Sequence, residues 1–253
     1  MFLIALGLPL FTLAWQSLFR NATPPSLSVL TNMTIDSYRY VLGYPVFLNA
    51  VKNSVLLGVM AASFVVGISF VMAWLSQRAL KRFGWILDSL TFVPIAIPSV
   101  IVGASILFAY LVLPIPVYNT IWILLIAYVT MYLPYGMRFT SGGIVQIHRE
   151  LEEVAEVSGA SSGQIFGRVL LPLLAPVLVA AWLYVFVLAV RELSASIFLA
   201  GPGTHVLGTI SLTMWEEGGS YGAVCAMGIV QIVPLIAVVI LMRRIEQRVS
   251  NRR

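Results

Sequence analysis

The sequence predicts an all-α membrane protein, built as a bundle of six transmembrane helices. Three observations predict it. Of the 253 residues, 60% are hydrophobic and 10% charged, against roughly 45–50% and about 25% in a soluble domain. The apolar residues fall in blocks near the ~20 residues that a helix needs to cross a bilayer. The charges between blocks are mostly basic, for a formal net charge of +5, and they sit at block ends, where they set topology. That placement argues against a nucleic-acid surface.

In order, the first block is Met1–Phe19. It lacks the basic leader and clear cleavage site of a secretory signal, so it reads as a retained, short first span or, equally, as the remainder of a longer helix. After the loop Arg20–Asn53 comes the second span, Ser54–Leu75, and the short link Arg78–Trp85. The third, Ile86–Leu113, contains Pro94 and Pro98, and Pro114–Asn119 connects it to the fourth, Ile121–Phe139, with Pro134. The long segment Thr140–Pro172 leads to the fifth span, Leu173–Val190, with Pro176. Arg191–Gly222 precedes the sixth, Ala223–Met242, with Pro234, and a basic tail starts at Arg243. Each proline removes a backbone hydrogen bond and can kink its helix. Such breaks fit a bundle with a polar interior, where neighbours or a cavity satisfy the freed carbonyls, and equally fit plain structural kinks.

Alternate gaps lie on the same side of the membrane. One side then collects Arg78, Lys81, Arg82, Arg138, Arg149, Arg168, Arg243, Arg244, Arg248, Arg252 and Arg253, eleven of the 15 basic residues. The other holds Arg20, Arg39, Lys52 and Arg191. The positive-inside bias puts the eleven, and both termini, in the cytoplasm. Cys225 is the only cysteine and excludes an intrachain disulfide; it reads as a small packing residue. His148 and His205 fall on opposite sides in this topology, which excludes a joint metal site, so no metal or catalytic residue is assigned.

Thr140–Pro172 is the least membrane-like long stretch and carries Glu150, Glu152, Glu153 and Glu156, four of the ten acidic residues. Ile147, Leu151, Val154, Ala155 and Ser158 recur at helical spacing, opposite the glutamates. Gly159 interrupts, and Ile165, Phe166 and Val169 open a second amphipathic stretch. The expectation is helix, glycine turn, helix. An amphipathic helix lying on lipid usually carries a Lys/Arg-rich polar face; a glutamate-rich one suits a basic groove on a protein partner.

The run Glu153-Val154-Ala155, three residues, Gly159, nine residues, Val169-Leu170-Leu171-Pro172 resembles the EAA loop of binding-protein-dependent ABC importer permeases. Val154 and Val169 replace an alanine and an isoleucine of that pattern. Asn53-Ser54 also resembles the start of the family's transport domain. The resemblance implies a type I ABC permease bundle with a cytoplasmic coupling helix, divided into a first helix and outer loop (1–48), a transport domain (49–242) and a basic cytoplasmic tail (243–253). It implies an ATPase-docking set of Glu152, Glu153, Ala155, Gly159, Ala160, Phe166, Leu171 and Pro172, in which Glu153 pairs with a basic group, Ala155 permits close approach and Gly159 makes the turn. The implied partners are a cytoplasmic ATPase dimer, an extracytoplasmic substrate-binding protein, a second permease half of the same or different sequence, and membrane lipid. The implied location is the bacterial inner membrane. No glycine-rich phosphate loop occurs in the chain, so the protein is expected to be no enzyme and to hold no cofactor, with ATP bound and hydrolysed by the partner.

Arg191-Glu192 stands about 18 residues beyond Leu173, or roughly 27 Å along a helix. The pair reads as part of the translocation path, as a contact for the binding protein, or as an interfacial pair marking the helix end. The stretch from Leu193-Ser194-Ala195-Ser196 through Gly201-Pro202-Gly203-Thr204 to Trp215-Glu216-Glu217 is similar to the ferric-iron subgroup of these permeases, which overlaps with thiamine, polyamine, sulfate and phosphonate importers. Ferric iron is therefore the expected cargo, with those substrates as alternatives. An ion-coupled secondary transporter would carry ionisable residues at the bilayer midplane, whereas these spans hold almost none. An intramembrane hydrolase would need converging nucleophile and base, which two histidines on opposite faces do not supply.

Overall fold

The computed structural model describes residues 2–80, 83–113 and 119–250. Lys81, Arg82, the link 114–118, Arg252 and Arg253 lie outside the described residues, as do the side chains of Arg243 and Arg248. In chain order the helices are α1 (Phe2–Gln16), α2 (Asp36–Leu42), α3 (Phe47–Trp74), α4 (Gly84–Phe92), α5 (Ser99–Val112) and α6 (Ile121–Val145), then α7 (Glu150–Val157), α8 (Ser162–Ile165), α9 (Leu171–Val190), α10 (Ser196–Leu199), α11 (Leu207–Glu216) and α12 (Tyr221–Ser250). No strand occurs among the described residues, as lipid demands of a chain whose spans must satisfy their own backbone groups.

Among the described residues, four helical stretches are long and apolar enough to cross a membrane: Phe47–Ala79, Ile121–Val145, Ser162–Val190 and Tyr221–Ile240. The third expected span is not one straight helix. It divides into Gly84–Ala96 and Ser99–Val112, bent by 101°. Pro94 lies in the 3-10 turn Val93–Ala96 that ends the first arm and Pro98 caps α5, so two missing N–H donors fall at and just before the break. Counted as one span, this pair makes five. The first expected span, Met1–Phe19, is a 15-residue helix here, about 22 Å at 1.5 Å per residue, against a hydrocarbon core of about 30 Å.

The chain divides into two compact units, Met1–Ser54 with Ala200–Arg253, and Val55–Leu199. In the first, α12 packs on α1, α2 and α11, and Cys225 is buried. Asn53 Nδ2 donates to the carbonyls of Gly203 (3.0 Å) and His205 (2.9 Å), and Ser54 Oγ accepts from the backbone of Leu207 at 2.8 Å. Asn53-Ser54 thus ties the Gly201–Thr204 turn and the start of α11 to α3.

In the second unit α6 and α9 form the largest helix–helix contact. Phe70 and Ala73 of α3, Met137 and Ile144 of α6, and Leu170, Leu174 and Leu178 make one buried cluster. Two π-helical turns border it, Leu75–Ala79 after α3 and Phe166–Leu170 before α9. Inside lipid, such helices are held by close packing rather than by expulsion of water. Gly103 of α5 illustrates this: a Cβ there would lie 2.7 Å from Ala195 Cα.

Candidate functional site: the loop after α6 and the polar pocket

The segment after α6 folds as helix, turn, helix, and local chemistry encodes each part. Glu150, Glu152 and Glu153 occupy the first turn of α7, where carboxylates complement the positive end of the helix dipole. The helix ends in a Schellman arrangement: Gly159 N–H donates to Glu156 O (2.9 Å) and Ala160 N–H to Ala155 O (3.0 Å). Gly159 has φ +88°, a backbone conformation that costs an L-residue roughly 1–2 kcal/mol. Ser161 then caps α8 reciprocally, accepting from Gln164 N (3.4 Å) while its own N–H donates to Gln164 Oε1 (2.9 Å).

Tertiary contacts decide which face of α7 points outward. Glu152 is turned into the protein, where its Oε1 lies 2.7 Å from Arg78 Nε, with side chains 11% and 18% exposed respectively. Leu151, Val154 and Val157 are instead 50%, 66% and 91% exposed, forming an outward apolar row. Glu153 is exposed beside Arg149 at 3.3 Å; a solvated i,i+4 pair of this kind is worth about 0.3–0.5 kcal/mol, leaving its carboxylate available to a stronger partner. Ala155 and Ala160 are half-buried, Gly159, Leu171 and Pro172 exposed. Phe166 packs inward, its ring 4.3 Å from Phe70 and 5.5 Å from Trp74. Of the eight residues expected to dock, Glu152 and Phe166 therefore hold the loop to its own chain. Arg78, counted in the sequence only as a topogenic charge, is the residue that sequence reasoning missed; nothing in its local pattern marks a partner 74 positions away.

A second polar feature lies in the same unit at the break of the bent helix pair. A cavity of about 500 Å³ is lined by Pro94, Pro98 and Ser99, by Tyr132 and Tyr135 of α6, and by Arg191 and Glu192 after α9. Glu192 accepts from Tyr132 Oη at 2.5 Å and from the backbone N–H of Ala195 at 3.0 Å. Arg191 is exposed and joins none of the ion pairs among the described residues. The two residues that sequence reading joined thus differ: Glu192 is built into the wall, and Arg191 presents a free cation. In the other unit, Tyr44 Oη donates to Glu217 Oε2 at 3.1 Å. Burial, then this bond and the charge of Glu217, raises the Tyr44 hydroxyl above its usual pKa of 10.0. His148 and His205 enter no metal-binding group of three or more side chains among the described residues.

Residues 54–251 match the model of the binding-protein-dependent transport system inner membrane component family, and the chain belongs to that family of transport components. A ferric transport system permease protein of Actinobacillus pleuropneumoniae is 26% identical over 233 residues, covering 89% of this chain and 33% of that protein. The chain thus spans about a third of the length of the ferric relatives it matches. A permease protein attributed to a 2-aminoethylphosphonate transport system of Salmonella paratyphi A is 30% identical over 206 residues, 81% of this chain and 75% of that protein. The putrescine transport system permease protein of Escherichia coli is 26% identical over 80% of this chain and 77% of its own length. Among solved structures, a bacterial ABC transporter involved in import of the acidic polysaccharide alginate superposes with a TM-score of 0.77 at 19% identity, covering 98% of this chain and 92% of that one. The fold is that of an ABC importer permease.

Proposed function

We propose that this chain is one membrane-spanning half of an ATP-driven importer. It takes substrate from an extracytoplasmic binding protein and docks on a cytoplasmic ATPase through α7 and the Gly159 turn. α1 serves as a sixth span, both termini are cytoplasmic, 49–242 is the transport domain, and 243–253 is a basic tail. A second half, identical or different, completes the pore, because two ATPase sites need two docking loops. ATP binds and is hydrolysed on the partner. The observation that carries this reading is the outward apolar row Leu151, Val154 and Val157, flanked by Glu153 and Gly159 and held on a rigid turn. Arg191 and Glu192, at the 500 Å³ cavity, line the translocation path. The proposed cargo is ferric iron, supported by the stretch from Leu193 to Glu217. The 30% identity to the aminoethylphosphonate relative, which this chain matches over most of its length, favours an organophosphonate as the second reading.

The test is co-purification from native membranes in mild detergent. The ATPase and a binding protein accompany the unaltered chain, and the ligand of that binding protein identifies the cargo. Val154→Asp and Val157→Asp lose the ATPase while the melting temperature of the solubilised permease stays put, since both side chains are exposed. Absence of an ATPase overturns the importer reading in favour of a secondary transporter, and its retention by both variants overturns the docking role of the apolar row.

A further inference from the structure

We propose that Arg78 is the positioning residue that makes the docking helix mechanically continuous with the membrane-spanning helices, so that Glu152 transmits motion instead of contacting the ATPase. The proposal rests on the reading of α7 as a docking helix. One guanidinium joins three elements. Its own backbone lies in the π-helical turn Leu75–Ala79 that ends α3. Its Nη2 donates to the carbonyls of Ile144 at 3.1 Å and Ile147 at 2.8 Å. Its Nε lies 2.7 Å from Glu152 Oε1 on α7, an ion-pair contact in which the N–H is not aligned as a hydrogen bond.

The two carbonyls lie at the C-terminal end of α6, where helix carbonyls lack intrahelical partners and a cation is favoured by the helix dipole. Arg78 therefore caps α6 and fastens α7 with the same planar group. The pair is largely withdrawn from solvent, where removing one partner leaves the other charge stranded. Alongside it, Phe166 stacks on Phe70 and meets Trp74 edge-to-face, fixing the far side of the turn to α3. Displacement of α7 is thereby carried to the ends of α3 and α6 without slack. Lysine cannot replace this: its ammonium is a point charge without the planar fork that reaches carboxylate and carbonyls together.

The experiment uses the complete transporter in nanodiscs, with spin labels at Val145 and Ser158 in a Cys225→Ala background. Both positions are exposed, one on α6 and one at the end of α7. Distances are recorded for the permease alone and for the complex, nucleotide-free and ATP-bound, and transport per ATP hydrolysed is measured in unlabelled protein. The unaltered latch gives one narrow distance that does not change with nucleotide. Arg78→Lys and Glu152→Gln broaden it or make it nucleotide-dependent and lower transport per ATP at least about tenfold, while ATPase binding stays within about twofold. Glu152→Gln, which preserves shape, guards against failure of Arg78→Lys to fold. The proposal is overturned if the distance shifts with nucleotide in the unaltered protein, or if both variants match it in distance and coupling. It is also overturned if Glu152→Gln simply abolishes ATPase binding, which would make Glu152 a docking residue. Failure of the unaltered chain to bind any ATPase sinks the docking reading instead, and the permease-alone distances still judge the latch.

Discussion

Gly159 is the position at which a single added carbon tests the docking loop most cleanly. Its φ of +88° strains any L-residue, and a Cβ built there meets nothing within 4 Å, so Gly159→Ala adds backbone strain without a clash. That strain is roughly 1–2 kcal/mol. The free loop escapes it by opening the turn and giving up the hydrogen bonds of Gly159 and Ala160, whereas the docked loop must keep the turn closed. The cost therefore appears in ATPase affinity, as a factor of about 5–30. Asparagine visits the left-handed region more readily, so Gly159→Asn loses less. Gly163→Ala is the control: its Cβ also meets nothing within 4 Å, but its φ is ordinary, and alanine is the better helix former there. The assay titrates purified ATPase onto labelled permease in nanodiscs. An order of affinity running glycine, asparagine, alanine, with Gly163→Ala equal to the unaltered chain, is the expected result. If Gly159→Ala binds as tightly as Gly163→Ala, the closed turn is not required for docking and the reasoning is refuted.

Gly103→Ala brings a Cβ to 2.7 Å from Ala195 Cα and 2.9 Å from its carbonyl oxygen. It should destabilise the solubilised protein by about 1–3 kcal/mol, seen as a lower melting temperature, whereas Gly142→Ala, with open space around it, should not. Tyr132→Phe removes the 2.5 Å donor to Glu192, a charge-assisted bond worth about 1.5–3 kcal/mol; substrate transport should fall while the ATPase still co-purifies, and unchanged transport would separate Glu192 from the path. The raised Tyr44 pKa means that its bond to Glu217 stabilises the fold below the usual 10.0 and is lost only as pH rises through the higher folded value. The melting-temperature gap between unaltered protein and Tyr44→Phe should thus be constant at neutral pH and close in strong alkali.

Legibility followed the range of the interactions. The turn at Gly159 was readable because glycine adopts its φ without strain, and Ser161-x-x-Gln164 encodes the next helix start just as locally. The prolines at 94 and 98 announced a weakness in the third span, yet the 101° bend depends on what packs around the break, which one segment cannot specify. Periodicity likewise put glutamates and apolar residues on opposite faces of α7 but did not say which face turns inward. With glutamates at 150, 152, 153 and 156, the choice falls to Glu152 because Arg78 waits for it, and the apolar row is left outside against the usual rule that such a stripe faces the core.

That inversion bears directly on function. A helix of eight residues is too short to be stable alone, so α7 needs an anchor that leaves its apolar face uncovered. Burying the apolar row would stabilise the helix and remove the proposed docking surface together. An inward ion pair separates the two requirements: Glu152 and Arg78 fix the helix, and Leu151, Val154 and Val157 remain free. The arrangement predicts that substitutions on the row and substitutions at the pair have opposite signatures. On the proposed reading, the row governs whether the ATPase binds, and the pair governs whether binding moves α3 and α6. A double variant, Val157→Asp with Glu152→Gln, should then bind no better than Val157→Asp alone. If Glu152→Gln instead restored binding by letting α7 rotate its apolar row elsewhere, the pair would be a brake on docking rather than a link.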